Sequence, residues 1–159
     1  MDAEKIAATD LVDEDLINKG FFLDLLTAVE EKKRILLVGQ PGAHGLATLS
    51  SALVIHGDTL GHEYEVFDRG ALPTGESYVG HLATNEDVCE LLSRWAKGAS
   101  GIVTMYGATL EDCVARIEKA LRDFGIEDAG AFVNFTVDVI AVVEKDTDGT
   151  SVVRDVVML

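Results

Sequence analysis

Apolar positions in this chain fall into two kinds of run. The first is short and continuous. ILLV at 35–38 and GIVTMY at 101–106 are bounded by polar or turn residues, the pattern of strands buried on both faces of a parallel sheet. The second recurs at helical spacing: Phe21, Phe22, Leu25, Leu26 and Val29, then Val88, Leu91, Leu92 and Trp95, then Leu110, Val114, Ile117 and Leu121. Asn85 and Thr109 stand where helix N-caps belong, with Glu111 and Asp112 in the first turn after Thr109, and Gly98 stands at a helix stop. Asp10 or Asp13 is expected to cap an earlier helix carrying Leu11, Leu16 and Ile17, with Gly20 dividing it from the next. Further elements are a helix over about 46–55, a strand at 63–67, a turn-rich stretch with Pro73, and a strand-forming tail from FVNF onward, with Asp148-Gly149 as a hairpin turn. Strands alternating with helices predict a three-layer α/β sandwich with a mainly parallel sheet and a C-terminal β-hairpin. Residues 1–33 read as a helical lead-in and 34–159 as the main body of one domain.

Composition narrows the class. The chain has 159 residues, 48% of them hydrophobic, which suits a single globular domain with its own core. The apolar runs fall short of the ~20 residues of a membrane span, and the opening residues lack the pattern of a secretory leader. Cys89 and Cys113 have no metal-ligand spacing and fit buried thiols in the reducing cytoplasm. The formal charge of −15 argues against nucleic acid and against an anionic membrane surface as partners.

The candidate chemistry lies in GQPGAHGLATL, which follows the first apolar strand. Gly39, Gly42 and Gly45 are spaced G-x-x-G-x-x-G, with Ala43 and His44 inside the loop, Leu46 after it and Thr48 beyond. A phosphate loop of the G-x-x-x-x-G-K-[ST] type uses backbone N–H groups, a lysine and a hydroxyl. Here the backbone elements and Thr48 are present, the lysine position holds Leu46, and the glycine spacing is one residue longer. A dinucleotide loop is the second possibility, with Asp68 as the acid that would bond a ribose. The third is a tight turn between strand and helix. On these residues alone all three stay open.

The whole chain resembles the ATPase domain of the type II/IV secretion family, in particular the VirB11-like and conjugal-transfer branch. The resemblance is carried by the order of four segments: the leucine-rich lead-in DLVDEDLINKGFFLDLLTAVEEKKRILLVG, the glycine loop, YVGHLATNEDVCELLSRWAKGASGIVTMYGATLEDCVARIEKAL, and the closing VDVIAVVEKDTDGTSVVRDVV. It implies a RecA-like P-loop fold, ATP with Mg²⁺ as ligand, and ring assembly. It also implies that Leu46 stands at the Walker A lysine, Ala47 at the first hydroxyl, His81 at the Walker B glutamate and Tyr106 at the His-box histidine. Arg116 matches the arginine of the following helix, and Asp68 corresponds to an acidic strand end. The family's stabilisation of the transferring phosphoryl group depends on those lost charges. The expected function is therefore that of a non-catalytic or weakly nucleotide-binding ATPase homologue, partnered by an ATPase ring or by copies of itself. An NAD(P)-binding Rossmann-type domain and a ligand-free self-assembling module are the alternatives.

Other residues suggest less. His56, His62, His81, Asp58 and Glu63 lack a metal-ligand spacing. Cys113 lies on a helix with no evident base and reads as a buried thiol, Trp95 as a core residue at a helix end, and the acids between Asp10 and Asp15 as a solvated helix start.

Overall fold

The computed structural model describes residues 16–40, 45–66, 77–80, 83–145 and 151–159. Its strands are β1 (Arg34–Gly39), β2 (Glu65–Val66), β3 (Ser77–Gly80), β4 (Ser100–Tyr106), β5 (Val139–Lys145) and β6 (Ser151–Met158). Its helices are α1 (Lys19–Glu30), α2 (Gly45–Thr59), α3 (Asn85–Ala96), α4 (Leu110–Asp123) and α5 (Ala129–Thr136).

The strands form one six-stranded sheet in the order β2-β3-β4-β1-β5-β6. Every neighbouring pair is parallel except β5–β6, which closes the sheet as the predicted antiparallel hairpin. The β1 run is apolar throughout because it lies between β4 and β5, with Ile35 opposite Ile102 on one side and Val139 on the other. Alternate residues feed two cores. Ile35 and Leu37 join Leu25 of α1 and Leu46, Leu49 and Leu53 of α2 on one face. Leu36 and Val38 join Leu92 and Trp95 of α3, Ile117 and Leu121 of α4 and Val133 of α5 on the other. Together these faces make the three-layer sandwich.

This order bears on the dinucleotide alternative. A Rossmann sheet sets its first strand beside its second, whereas here β2 is at the sheet edge and β1 sits between β4 and β5. That alternative loses its topology.

Local expectations are corrected in several places. Leu16 and Ile17 lie in a turn rather than on a helix, and both are buried against the α2 face. Gly20 does not divide two helices. It lies in the first turn of α1, which begins after Asn18, whose side chain accepts the Phe21 N–H at 2.8 Å. The cap of α3 is Thr84 rather than Asn85, because Thr84 and Asp87 form a reciprocal capping box. The strand expected at 63–67 is reduced to Glu65–Val66 among the described residues. FVNFT is helical instead of extended: Asp128 caps α5, and Ala129, Val133 and Thr136 are buried at helical spacing. The Asp10 and Asp13 caps and the Asp148-Gly149 turn lie outside the described residues. Thr109 caps α4 as expected, and Trp95 is fully buried.

Arg34 bolts the N-terminal end of β1. Its guanidinium donates from Nε and Nη2 to the Asp138 carboxylate at 3.0 Å each, and also to the carbonyls of Trp95 and Phe135. Among the described residues no helix is long and apolar enough to cross a membrane.

Candidate functional site

The glycine loop belongs to the C-terminal crest of the sheet, where β1 leads toward α2. Gly42, Ala43 and His44 lie outside the described residues, as do Asp68 and His81. The residues on either side of the loop, Gly39, Gly45, Leu46 and Thr48, show what surrounds it.

Gly45 opens α2, and its N–H is the donor that a phosphate loop would aim at an anion. Here it donates to the Ser151 hydroxyl of β6 at 2.9 Å. A Cβ built on Gly45 would lie 2.6 Å from Leu16 Cδ1 and 2.6 Å from Ser151 Cβ. The α2 N-terminus is therefore packed between the lead-in turn and the hairpin. The Val153 N–H, which donates to the Leu16 carbonyl at 2.6 Å, ties those two covers together.

Leu46, at the position implied for lysine, is 2% exposed. It joins the core beside Leu16, Leu49 and Leu53. Its side chain lies so close to Gly39 that a Cβ there would meet Leu46 Cδ2 at 2.9 Å. Ala47 is exposed and Thr48 half-buried on the next positions of α2.

Gln40 bridges the crest, a role the sequence analysis missed. Its side-chain amide donates to the Ala108 carbonyl at 3.2 Å and accepts the Lys145 N–H at 3.0 Å. The Gly107 N–H donates to the Gly39 carbonyl at 3.0 Å. The ends of β1, β4 and β5 are thus linked through one side chain. Ser151 was missed as well. It is 106 residues from Gly45 in sequence, so no local pattern could have marked it.

Tyr106 ends β4 with its ring exposed and its carbonyl engaged by Arg116 Nη2. Arg116 Nε lies 3.4 Å from the Asp112 carboxylate. The matched arginine is thus spent on its own strand end and helix. Arg116 Nη2 also reaches Cys113 Sγ at 3.5 Å. Burial pushes the Cys113 thiol up, outweighing the bond and charge of Arg116 that pull it down, so the group is a neutral buried thiol.

The sequence-predicted residues are therefore brought together in two groups. Gly39, Gly45 and Leu46 meet at the root of α2, and Tyr106 and Arg116 meet at the end of β4. Among the described residues no three potential metal ligands gather. His56 instead pairs with Glu30 at 3.1 Å.

No family model and no curated protein matches the sequence. The structure, however, superposes on the VirB11 ATPase of the Brucella suis type IV secretion system, solved in complex with sulphate, with a TM-score of 0.72 over 88% of this chain at 15% identity. The chain has the fold of the VirB11 ATPase. It spans 54% of that protein's length. The VirB11-like fold accounts for the mainly parallel sheet with β1 at its centre, and the RecA-like architecture expected from the sequence is present.

Proposed function

We propose that this chain is a relative of the secretion, conjugation and pilus ATPases that works in the cytoplasm as an assembly or regulatory subunit and not as a motor. The observation that carries this reading is the closed N-terminus of α2, where the Gly45 N–H is taken by Ser151 and Leu46 is buried beneath Gly39. ATP with Mg²⁺ needs free backbone donors and a cation at this point. The described residues offer it an engaged donor and an apolar side chain, which supports a crest that does not hold the nucleotide's phosphates. The likeness in fold to a protein of a secretion system supports partners of that class: an active ATPase ring or further copies of this chain.

The test is a thermal melt with ATP–Mg²⁺ and, separately, NAD(P). A ligand held at a hundred times its Kd adds about 2.7 kcal/mol. The expected result is an unchanged melt in both arms and no phosphate release. A saturable rise with ATP–Mg²⁺, or turnover by pure protein, overturns the reading. A rise with NAD(P) alone revives the dinucleotide alternative.

A further inference from the structure

Four of the described helices end on the same pair of backbone bonds. After α2 the N–H groups of Gly61 and His62 return to Asp58 and Gly57. After α3 those of Gly98 and Ala99 return to Trp95 and Arg94, and after α4 those of Gly125 and Ile126 return to Arg122 and Leu121. After α1 those of Lys32 and Lys33 return to Val29 and Ala28. This closure places its first outside residue in the left-handed region, which favours glycine. Glycine holds that position at 61, 98 and 125, with φ of 86°, 105° and 100°. At the fourth end it is Lys32, at φ 54°, the single non-glycine residue with positive φ among those described.

Lys32 also borders a cavity. An open depression of about 560 Å³ lies at the N-terminal side of the sheet, lined by Lys32, Gly61, His62, Tyr64, Glu65 and Ser77. That size is within the range of small-molecule sites. Two of the four helix ends, at Lys32 and Gly61, form its walls. Lys32 is solvent-exposed, a positive charge in a chain with 28 acidic and 13 basic residues. His62 stands beside it, with Nδ1 3.5 Å from the Tyr64 hydroxyl. A left-handed lysine at the wall of a depression is the kind of backbone strain that clusters at functional sites.

We propose that this depression binds a small ligand through one oxyanion group, phosphoryl or carboxylate, with Lys32 as its charge contact and His62 and Ser77 as flanking hydrogen-bond partners. Glu63 and Glu65 also line the depression. They disfavour a polyanion and favour a ligand with a single anionic group and donors elsewhere. The site is at the opposite end of the strands from Gly45 and does not depend on the function proposed above.

The experiment is a heteronuclear NMR titration of the full chain and of Lys32→Gly, with inorganic phosphate in one arm and acetate in the other. Saturable amide shifts at Lys32, His62, Tyr64 and Ser77 are expected, and the tighter arm identifies the group. Lys32→Gly should raise Tm by about 2–4 °C, by relieving the left-handed lysine, and weaken binding at least tenfold. Undiminished binding by Lys32→Gly, a lowered Tm, or no saturable shift in either arm overturns the proposal. Shifts confined to Gly45 and Thr48 overturn it too and separately break the closed α2 N-terminus on which the proposed function rests.

Discussion

Leu46→Lys restores the residue that the family resemblance places after the loop, and the structure predicts that it damages the fold without restoring a phosphate site. Leu46 is 2% exposed in the core between α2 and the sheet. Losing that apolar side chain from the core costs about 1.5–3 kcal/mol. The replacement must then bury an amine, either desolvated and neutral or levered toward the crest at the cost of local packing. Taken together the loss is about 3–5 kcal/mol. At roughly 2–4 °C per kcal/mol for a domain of this size, Tm falls by about 6–20 °C.

The assay is calorimetry on parent, Leu46→Lys and Leu46→Met, each with and without ATP–Mg²⁺. Leu46→Met conserves volume and should cost under about 1.5 kcal/mol, which separates loss of shape from burial of charge. Should Leu46→Lys melt within about 1 kcal/mol of the parent and also gain a nucleotide-dependent rise, the lysine has reached a working phosphate loop. In that event the account of a closed α2 N-terminus is wrong.

Three further outcomes follow from the same contacts. Ser151→Ala removes the acceptor of the Gly45 N–H; it should cost about 0.5–2 kcal/mol by urea denaturation and speed hydrogen exchange at Gly45. Burial raises the Asp138 carboxyl, but the side-chain and backbone hydrogen bonds from Arg34, with the charges of Arg34 and Lys33, outweigh it and hold it below the usual range. The stability from this pair is therefore complete above about pH 4, the ordinary carboxylate value, and is lost as pH falls through the lowered one. Asp138→Asn should flatten that acid limb of the stability curve, and an unchanged limb refutes the assignment. Gly107→Ala drives a methyl against Cys113 Sγ; it should destabilise by about 1–3 kcal/mol, and adding Cys113→Ala should recover part of that loss in a double-mutant cycle.

The sheet was legible because its central strands must be apolar on both faces. ILLV and GIVTMY satisfy that without help from context, and the glycines that bound them, Gly39, Gly98 and Gly107, agree with it. Helices α3 and α4 were legible because one stripe of each is buried and the rest is charged. Legibility failed where tertiary burial competes with intrinsic preference. FVNFT is rich in strand formers, yet Val133 and Thr136 are buried one and two helical turns after Ala129, and the Asp128 cap starts the helix. It failed again at the start of α1, where a glycine within the first helical turn was read as a break. Gln40 and Ser151 were invisible because their partners come from other segments of the chain.

The crest shows why a glycine-rich loop is ambiguous in sequence. Glycine signals that something approaches the backbone closely, and it does not say what. In a nucleotide site the visitor is a phosphate. At this crest each described glycine instead admits a side chain of the same protein: Leu46 at Gly39, Leu16 and Ser151 at Gly45, and Cys113 at Gly107. These contacts hold the strand ends and the α2 N-terminus together by packing and neutral hydrogen bonds, with no need for the charge balance between lysine, Mg²⁺ and phosphate. Glycines at the crest of a RecA-like sheet are therefore explained here by close contacts within the chain. The consequence is directional. On the proposed function, a charge placed at Leu46 meets a filled space, so gaining a phosphate site would require removing the contacts of Leu16 and Ser151 with Gly45.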